Sequence, residues 1–261
     1  MDPPPPETLI AALEQLYALG ALNDAGDLTS MGRRMSEFPL DPQLSRMLIA
    51  SEKYGCTEEI ATICAMLSVN NSIFFRPKEN ELQSDNAKKS FHHQHGDHLT
   101  LLNVFNEWVE TGYSIPWCHQ HFIQERSMLR AKKIREQLVQ LMEKVEIELI
   151  SNSEDSEAIR KAITSGFFYN VATLEGHTGS YRTMHKKQTV YIHPSSSKEQ
   201  KDPPKWVVFF ELVLTTQEFM RQVIEIEPTW LLEIAPHLYN GKITVKEHKM
   251  PKTLGKSSRN K

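Results

Sequence analysis

The chain has 261 residues, 39% of them apolar and 24% charged, with a formal net charge of -3. No apolar run approaches the roughly 20 residues that a membrane-spanning helix needs. The slight negative balance argues against a protein that coats nucleic acid indiscriminately, because phosphate attraction scales with the number of cations presented, so any nucleic-acid site has to be local.

The length favours two or three modules with small cores over a single one. Met1-Asp2 followed by four prolines lacks the basic-then-apolar layout of a secretory signal, and a cytosolic or nuclear setting is the expectation. Cys56, Cys64 and Cys118 form no CxxC pair and leave an odd one over, which predicts reduced, buried thiols.

From Glu7 to Leu19 the residues Leu9, Ile10, Leu13, Leu16 and Tyr17 recur at helical spacing, with Gly20 as a left-handed stop. Thr29 and Ser30 are N-cap candidates for a short helix ending before Pro39. Asp41-Pro42 opens another, with Leu44, Met47, Leu48 and Tyr54 on one face and Gly55 at its end. Thr57 starts the next, through Ile60, Ile63, Cys64 and Leu67. Residues 70–77 break the pattern. A second helical zone carries Leu99, Leu102, Phe105, Trp108 and Val109 before Gly112, and the longest helix lies between Ile123 and Leu149, with basic residues crowding its first half. Residues 151–157 read as a polar loop capped into a short helix through Ile159 and Ile163.

After Gly166 the periodicity becomes that of strands, over Phe167–Leu174, Tyr181–Ile192, Trp206–Leu214 and Glu218–Ile226. Four or five short strands make a small barrel or sandwich, for which an oligonucleotide-binding barrel is one candidate. Pro228 starts a last helix. Beyond Gly241 the residues Lys242, Lys246, Lys249, Lys252, Lys256, Arg259 and Lys261 face the single acid Glu247, which reads as a disordered basic tail.

Several chemistries have no seat in the sequence. There is no GxxxxGK[ST] loop, no Asp-Glu-Ala-His box, no GxSxG elbow and no HExxH. His92, His93, His95 and His98, with Cys118, His119 and His121 further on, lack the tight paired spacing of structural zinc sites. A solvated loop leading into a helix with Asp97 at its cap is the preferred reading of that stretch, and no metal and no catalytic residue is expected.

The run ETLIAALEQLYALGAL followed by DLTSMGRRMSEFPLDPQLSRMLIASEKYGCTEEI resembles the winged-helix segment that follows the two RecA-like motor domains of DEAH-box RNA helicases. MLSVNNSIFFRP and GDHLTLLNVFNEW are similar to the helical-bundle, or ratchet, domain of that family. IRKAITSGFFYNVA, YRTMHKKQTVYIHPSSS and WVVFFELVLTTQEFMRQV are similar to its oligonucleotide-binding (OB) fold. The wording is nearest to the branch that remodels the spliceosome just before the first splicing step. The resemblance implies an α+β, mainly α chain, with a winged-helix domain over 1–70, a ratchet bundle over 71–165, an OB-fold barrel with a C-terminal helix over 166–240, and the basic tail over 241–261. It further implies a nuclear protein that forms one wall of a channel for single-stranded pre-mRNA. Its expected partners are a glycine-rich G-patch activator, other spliceosomal proteins and the helicase's own RecA-like domains. No ATP-binding motif is present, so ATP and magnesium, with ATPase and unwinding, are expected of a longer protein, and this stretch of chain is expected to need no cofactor.

Within that frame Tyr181, Arg182, Thr183, Lys186, Tyr191, His193, Pro194, Ser195 and Ser196 combine cations, hydroxyls and rings, a mixture suited to backbone contacts and base stacking. Alternation places Val190 and Ile192 on one face and Tyr191 and His193 on the other, toward RNA. A solvated barrel edge is the competing reading. Arg76, Arg126 and Arg130 are candidates for the ratchet side of the channel, against an ordinary solvated helix face. The activator is expected on the winged-helix surface, where Leu9, Leu13, Tyr17 or Met47 could be outside, although periodicity alone favours the core for each. The rival function is a protein-interaction scaffold with negligible RNA affinity.

Overall fold

The computed structural model describes residues 4–69, 73–176, 179–198, 203–241 and 243. Apart from Gly241 and Ile243, the expected basic tail lies outside the described residues.

The first helix, α1 (Pro6–Ala18), is followed by α2 (Ser30–Ser36), whose cap is Thr29: its hydroxyl accepts from the Gly32 amide at 3.0 Å and donates to the Gly20 carbonyl at 2.6 Å. Next come α3 (Pro42–Tyr54) and α4 (Thr57–Leu67). Pro42 fits the first turn of α3 because its missing N–H has no intrahelical partner there, and Gly55 closes the helix at φ +63°. Two helices lie where no element is predicted: α5 (Glu81–Ser90) and the short α7 (Ile115–Gln120). Between them, α6 (Asp97–Glu110) presents Leu99, Leu102, Phe105 and Trp108 to the core, while Val109 faces outward. The long helix α8 (Glu125–Lys144) ends before Leu149, since Glu146 at φ +60° turns the chain away.

The helix α9 (Ser156–Phe167) is capped by the Asp155 carboxylate, which accepts from the Ala158 amide at 2.9 Å. It absorbs Phe167, expected at the start of a strand. Gly166 lets α9 press against α3; an added Cβ would meet the Gln43 carbonyl oxygen at 2.3 Å.

Five strands follow: β1 (Val171–Glu175), β2 (Ser180–Thr183), β3 (Thr189–Ile192), β4 (Trp206–Leu214) and β5 (Glu218–Glu225). The expected continuous strand over Tyr181–Ile192 is instead a hairpin of β2 and β3, turned at Lys187 with φ +58°. The strands close into a barrel in the order β1-β2-β3-β5-β4, antiparallel throughout except for the β3–β5 seam. Closure pairs every strand with two neighbours. Tyr181, Val190, Val207, Met220 and Val223 fill the interior. Helices α10 (Pro228–Ile234) and α11 (Pro236–Tyr239) return to the helical core, where Trp230, Leu231 and Tyr239 are buried. The result is an α+β chain, mainly α, with helices first and a five-stranded barrel behind them.

The helical part and the barrel meet along a hydrogen-bonded seam. Gly96 pairs with Ile224 of β5, and the Glu225 amide donates to the His95 carbonyl at 2.9 Å. Gly96 stands at φ +133°, and a Cβ there would meet the Val223 carbonyl oxygen at 2.3 Å. Only glycine fits this approach. The seam corrects the expected solvated histidine loop: His98 is fully buried, and His93 and His95 are half-buried. It also corrects the role of Asp97. The N-cap of α6 is Gly96, and the Asp97 carboxylate instead accepts from the Ser196 hydroxyl (2.7 Å) and the amides of Ser197 (2.6 Å) and Val223 (2.8 Å). It ties α6 to the barrel.

Candidate nucleic-acid interface

Beside this seam a cleft of about 1000 Å³ opens between two walls. One wall is the helical segment from Phe74 through α5 to Leu101; the other is the end of β3, the loop His193–Lys198, and Arg221 and Gln222 of β5. Five cations line it, Arg76, Lys88, Lys89, Lys198 and Arg221, against the carboxylates of Asp85 and Asp97.

These cations differ in availability. Arg76 is held by Asp85 through two bonds of 2.8 and 2.9 Å and by Glu81 at 2.9 Å. The hydrogen bond from Arg76 keeps the Asp85 carboxyl below its ordinary value. Lys198 is bound to Glu225 at 3.0 Å and to the Gln94 carbonyl at 2.9 Å. Lys88 donates to the Ser195 carbonyl and lies 5.3 Å from the centre of the Phe74 ring; burial lowers its pKa. Arg221 contacts Glu211 across the sheet at 3.5 Å. Lys89 is exposed on α5. Lys88 and Lys89, which make no ion pair among the described residues, and Arg221, whose ion pair is longer than those of Arg76 and Lys198, are the cations best placed to meet a phosphate, and Phe75, 38% exposed and edge-on to Phe122, offers a ring at the rim.

The expected site residues separate into two groups. His193, Pro194, Ser195 and Ser196 line the cleft, as does Arg76 on the facing wall. The His193 Nδ1 pairs with the Ser195 hydroxyl at 2.7 Å. Burial, with Arg221 and Lys88 nearby, holds that imidazole below its ordinary pKa and therefore neutral at pH 7. Tyr191 and His193 flank Phe219 at 6.3 and 5.6 Å, a row of rings on the outer face of the barrel. Ile192, expected on the face opposite Tyr191 and His193, also lines the cleft.

The other candidates lie elsewhere. Tyr181 is 1% exposed and donates its hydroxyl to the Pro204 carbonyl inside the barrel. Thr183 is buried, its hydroxyl accepting from the Gln188 amide to close the hairpin. Arg182 is exposed but pairs with Glu175 at 2.7 Å and donates to the Lys187 carbonyl. Lys186 is exposed in the hairpin turn, and Arg126 and Arg130 are exposed on α8; none of the three lines the cleft. Lys88, Lys89, Lys198 and Arg221 carry no motif and become site residues only once the fold joins segments more than 100 positions apart.

A second surface stands out on α1. Leu9, Ile10, Leu13 and Tyr17 share one face and are 49 to 56% exposed, whereas Met47 is fully buried. Among the described residues no group of three or more His, Cys, Asp or Glu is placed to hold a metal ion. The three cysteines are buried and unpaired, and burial raises the Cys118 thiol to about 11.

Comparison with protein families adds three matches. Residues 12–40 match the winged-helix helicase associated domain (HA2), residues 41–101 the ratchet-like helicase associated domain (HA2), and residues 159–239 an oligonucleotide/oligosaccharide-binding (OB) fold. Matched in this order, the three domains are the accessory C-terminal module of DEAH-type helicases.

Proposed function

We propose that this chain is the RNA-gripping and activator-docking part of a spliceosomal DEAH-box helicase that works in the nucleus before the first splicing step. The observation that carries the reading is the cleft between ratchet and barrel, where Lys88, Lys89 and Arg221 meet the polar loop His193–Ser196 and the rings of Phe74 and Phe75. Phosphates attract to the cations, and bases stack on rings without regard to sequence, which suits a single strand being moved rather than read. ATP and magnesium belong to RecA-like motor domains, with which this module forms the channel. The chain itself binds and positions.

The α1 face supports the activator half of the proposal. Four large apolar side chains exposed in one stripe fit an amphipathic helix from a G-patch protein. A rival reading, a scaffold with negligible RNA affinity, draws on the pairing of Arg76 and Lys198 with carboxylates, which leaves few cations for phosphate. Photo-crosslinking with 4-thiouridine RNA separates the two. Crosslinked peptides from 74–101 and 191–198 are expected. Crosslinks confined to α8 or the β2–β3 turn would remove the cleft from the RNA path.

A further inference from the structure

A recess of about 310 Å³ lies on the helical part, between α2, α3, the Ser165 turn of α9 and α10. Its rim is neutralised: Arg34 pairs with Glu52 at 3.0 Å, and Lys53 pairs with Glu233 at 3.4 Å. Inside stands Arg46, half-buried. Among the described residues Arg46 makes no ion pair, and its Nε is shut off from solvent without a hydrogen-bond partner. Ile49 and Ala50 are buried walls beside it, with Met31 and Ile234 half-buried.

That combination is out of balance. A guanidinium taken partly out of water normally has a carboxylate or a set of carbonyls facing it, since desolvation of an unpaired charge is unfavourable. Every other cation lining this recess has such a partner. Burial, moreover, lowers the Arg46 pKa, and Tyr54, which lines the same recess, offsets this only in part. The apolar walls exclude water from a ligand seated there, which strengthens a charge-assisted hydrogen bond.

We propose that the recess is a binding site for a carboxylate, delivered by a glutamate side chain of a partner protein, with Arg46 as the residue that grips it. The rim already holds as many acids as bases and adds no net charge to attract a highly charged anion. The recess suits one carboxylate on a short apolar stem, and residues flanking the glutamate would rest on Met31 and Ile234.

The test uses the whole chain labelled with ¹⁵N at its arginine side chains. Acetate, inorganic phosphate, chloride and the blocked peptide acetyl-Leu-Glu-Leu-amide are each titrated at constant ionic strength. The Arg46 Nε–H resonance is expected to shift saturably with acetate, at least tenfold more tightly with the peptide, and not with chloride, while those of Arg126 and Arg130 stay still. A response equal for acetate and chloride overturns the site. Phosphate binding more tightly than acetate overturns the ligand class, and acetate more tightly than the peptide overturns the protein source. Arg46→Met provides an independent reading. If Arg46 awaits a ligand, the variant keeps or raises Tm and loses the acetate-dependent rise in Tm that the parent shows; a fall of several degrees with the acetate response intact contradicts the proposal.

Discussion

Removing the Asp97 carboxylate by Asp97→Ala should loosen the barrel from the helical part more than any other single polar change on the seam. The parent carboxylate accepts three hydrogen bonds of 2.6 to 2.8 Å, two of them from backbone amides. A hydrogen bond to a charged group contributes about 1.5–3 kcal/mol when buried. Asp97 is half-buried, so water partly replaces the lost acceptor and roughly half of the sum survives, about 2–4 kcal/mol. Ser196→Ala removes one of the three donors and should cost about 1 kcal/mol. Urea unfolding followed by tryptophan fluorescence measures both, and an unchanged m-value assigns the change to stability alone. A loss below about 0.5 kcal/mol for Asp97→Ala, or one no larger than for Ser196→Ala, would refute the view that this carboxylate is the tie.

Gly166→Ala should lower Tm by several degrees in differential scanning fluorimetry, because its Cβ would meet the backbone of α3 at 2.3 Å and overpacking costs about 1–3 kcal/mol. His98 is fully buried and burial takes its pKa down to about 4. The unfolded chain therefore binds the proton first, so stability is fully present above pH 6.5 and about 3 kcal/mol of it is lost as pH falls from 6.5 to 4. His98→Leu should flatten that acid limb, and an unaltered pH dependence would contradict the assignment. Leu9→Asp with Leu13→Asp should abolish capture of a G-patch peptide while leaving Tm within about 2 °C, since both side chains are about half exposed and surface changes cost little. Arg182→Ala should leave RNA affinity within about twofold, because Arg182 is engaged by Glu175 away from the cleft.

Much of the fold is legible in the sequence where local signals agree with the tertiary result. Thr29, Pro42 and Gly55 mark helix ends by backbone chemistry alone, and the strand over Trp206–Leu214 is as expected. The helix α5 escapes notice because ELQSDNAKKS has only Leu82 and Ala87 as apolar residues, too few for a helical period, and buries only Ser84. At the histidine stretch β5 covers residues whose composition suggests solvent. Periodicity correctly gathers Leu9, Leu13 and Tyr17 on one face of α1, but it reports the face and not what covers it. The site is half legible for a related reason. The loop His193–Ser196 has a composition suited to RNA, whereas Lys88 and Arg221 acquire meaning only when the barrel docks on α5 and α6.

The central claim is that the cleft holds single-stranded RNA through Lys88, Lys89 and Arg221, and fluorescence anisotropy of a labelled oligonucleotide across a salt series tests it most directly. Each phosphate contact to a single strand contributes a slope of about -0.7 in log K against log salt, so three contacts predict about -2. Lys89→Ala combined with Arg221→Ala should bring the slope to about -0.7 and weaken binding at every salt concentration. A parent slope near zero, or a double variant with the parent's slope and affinity, would contradict the account.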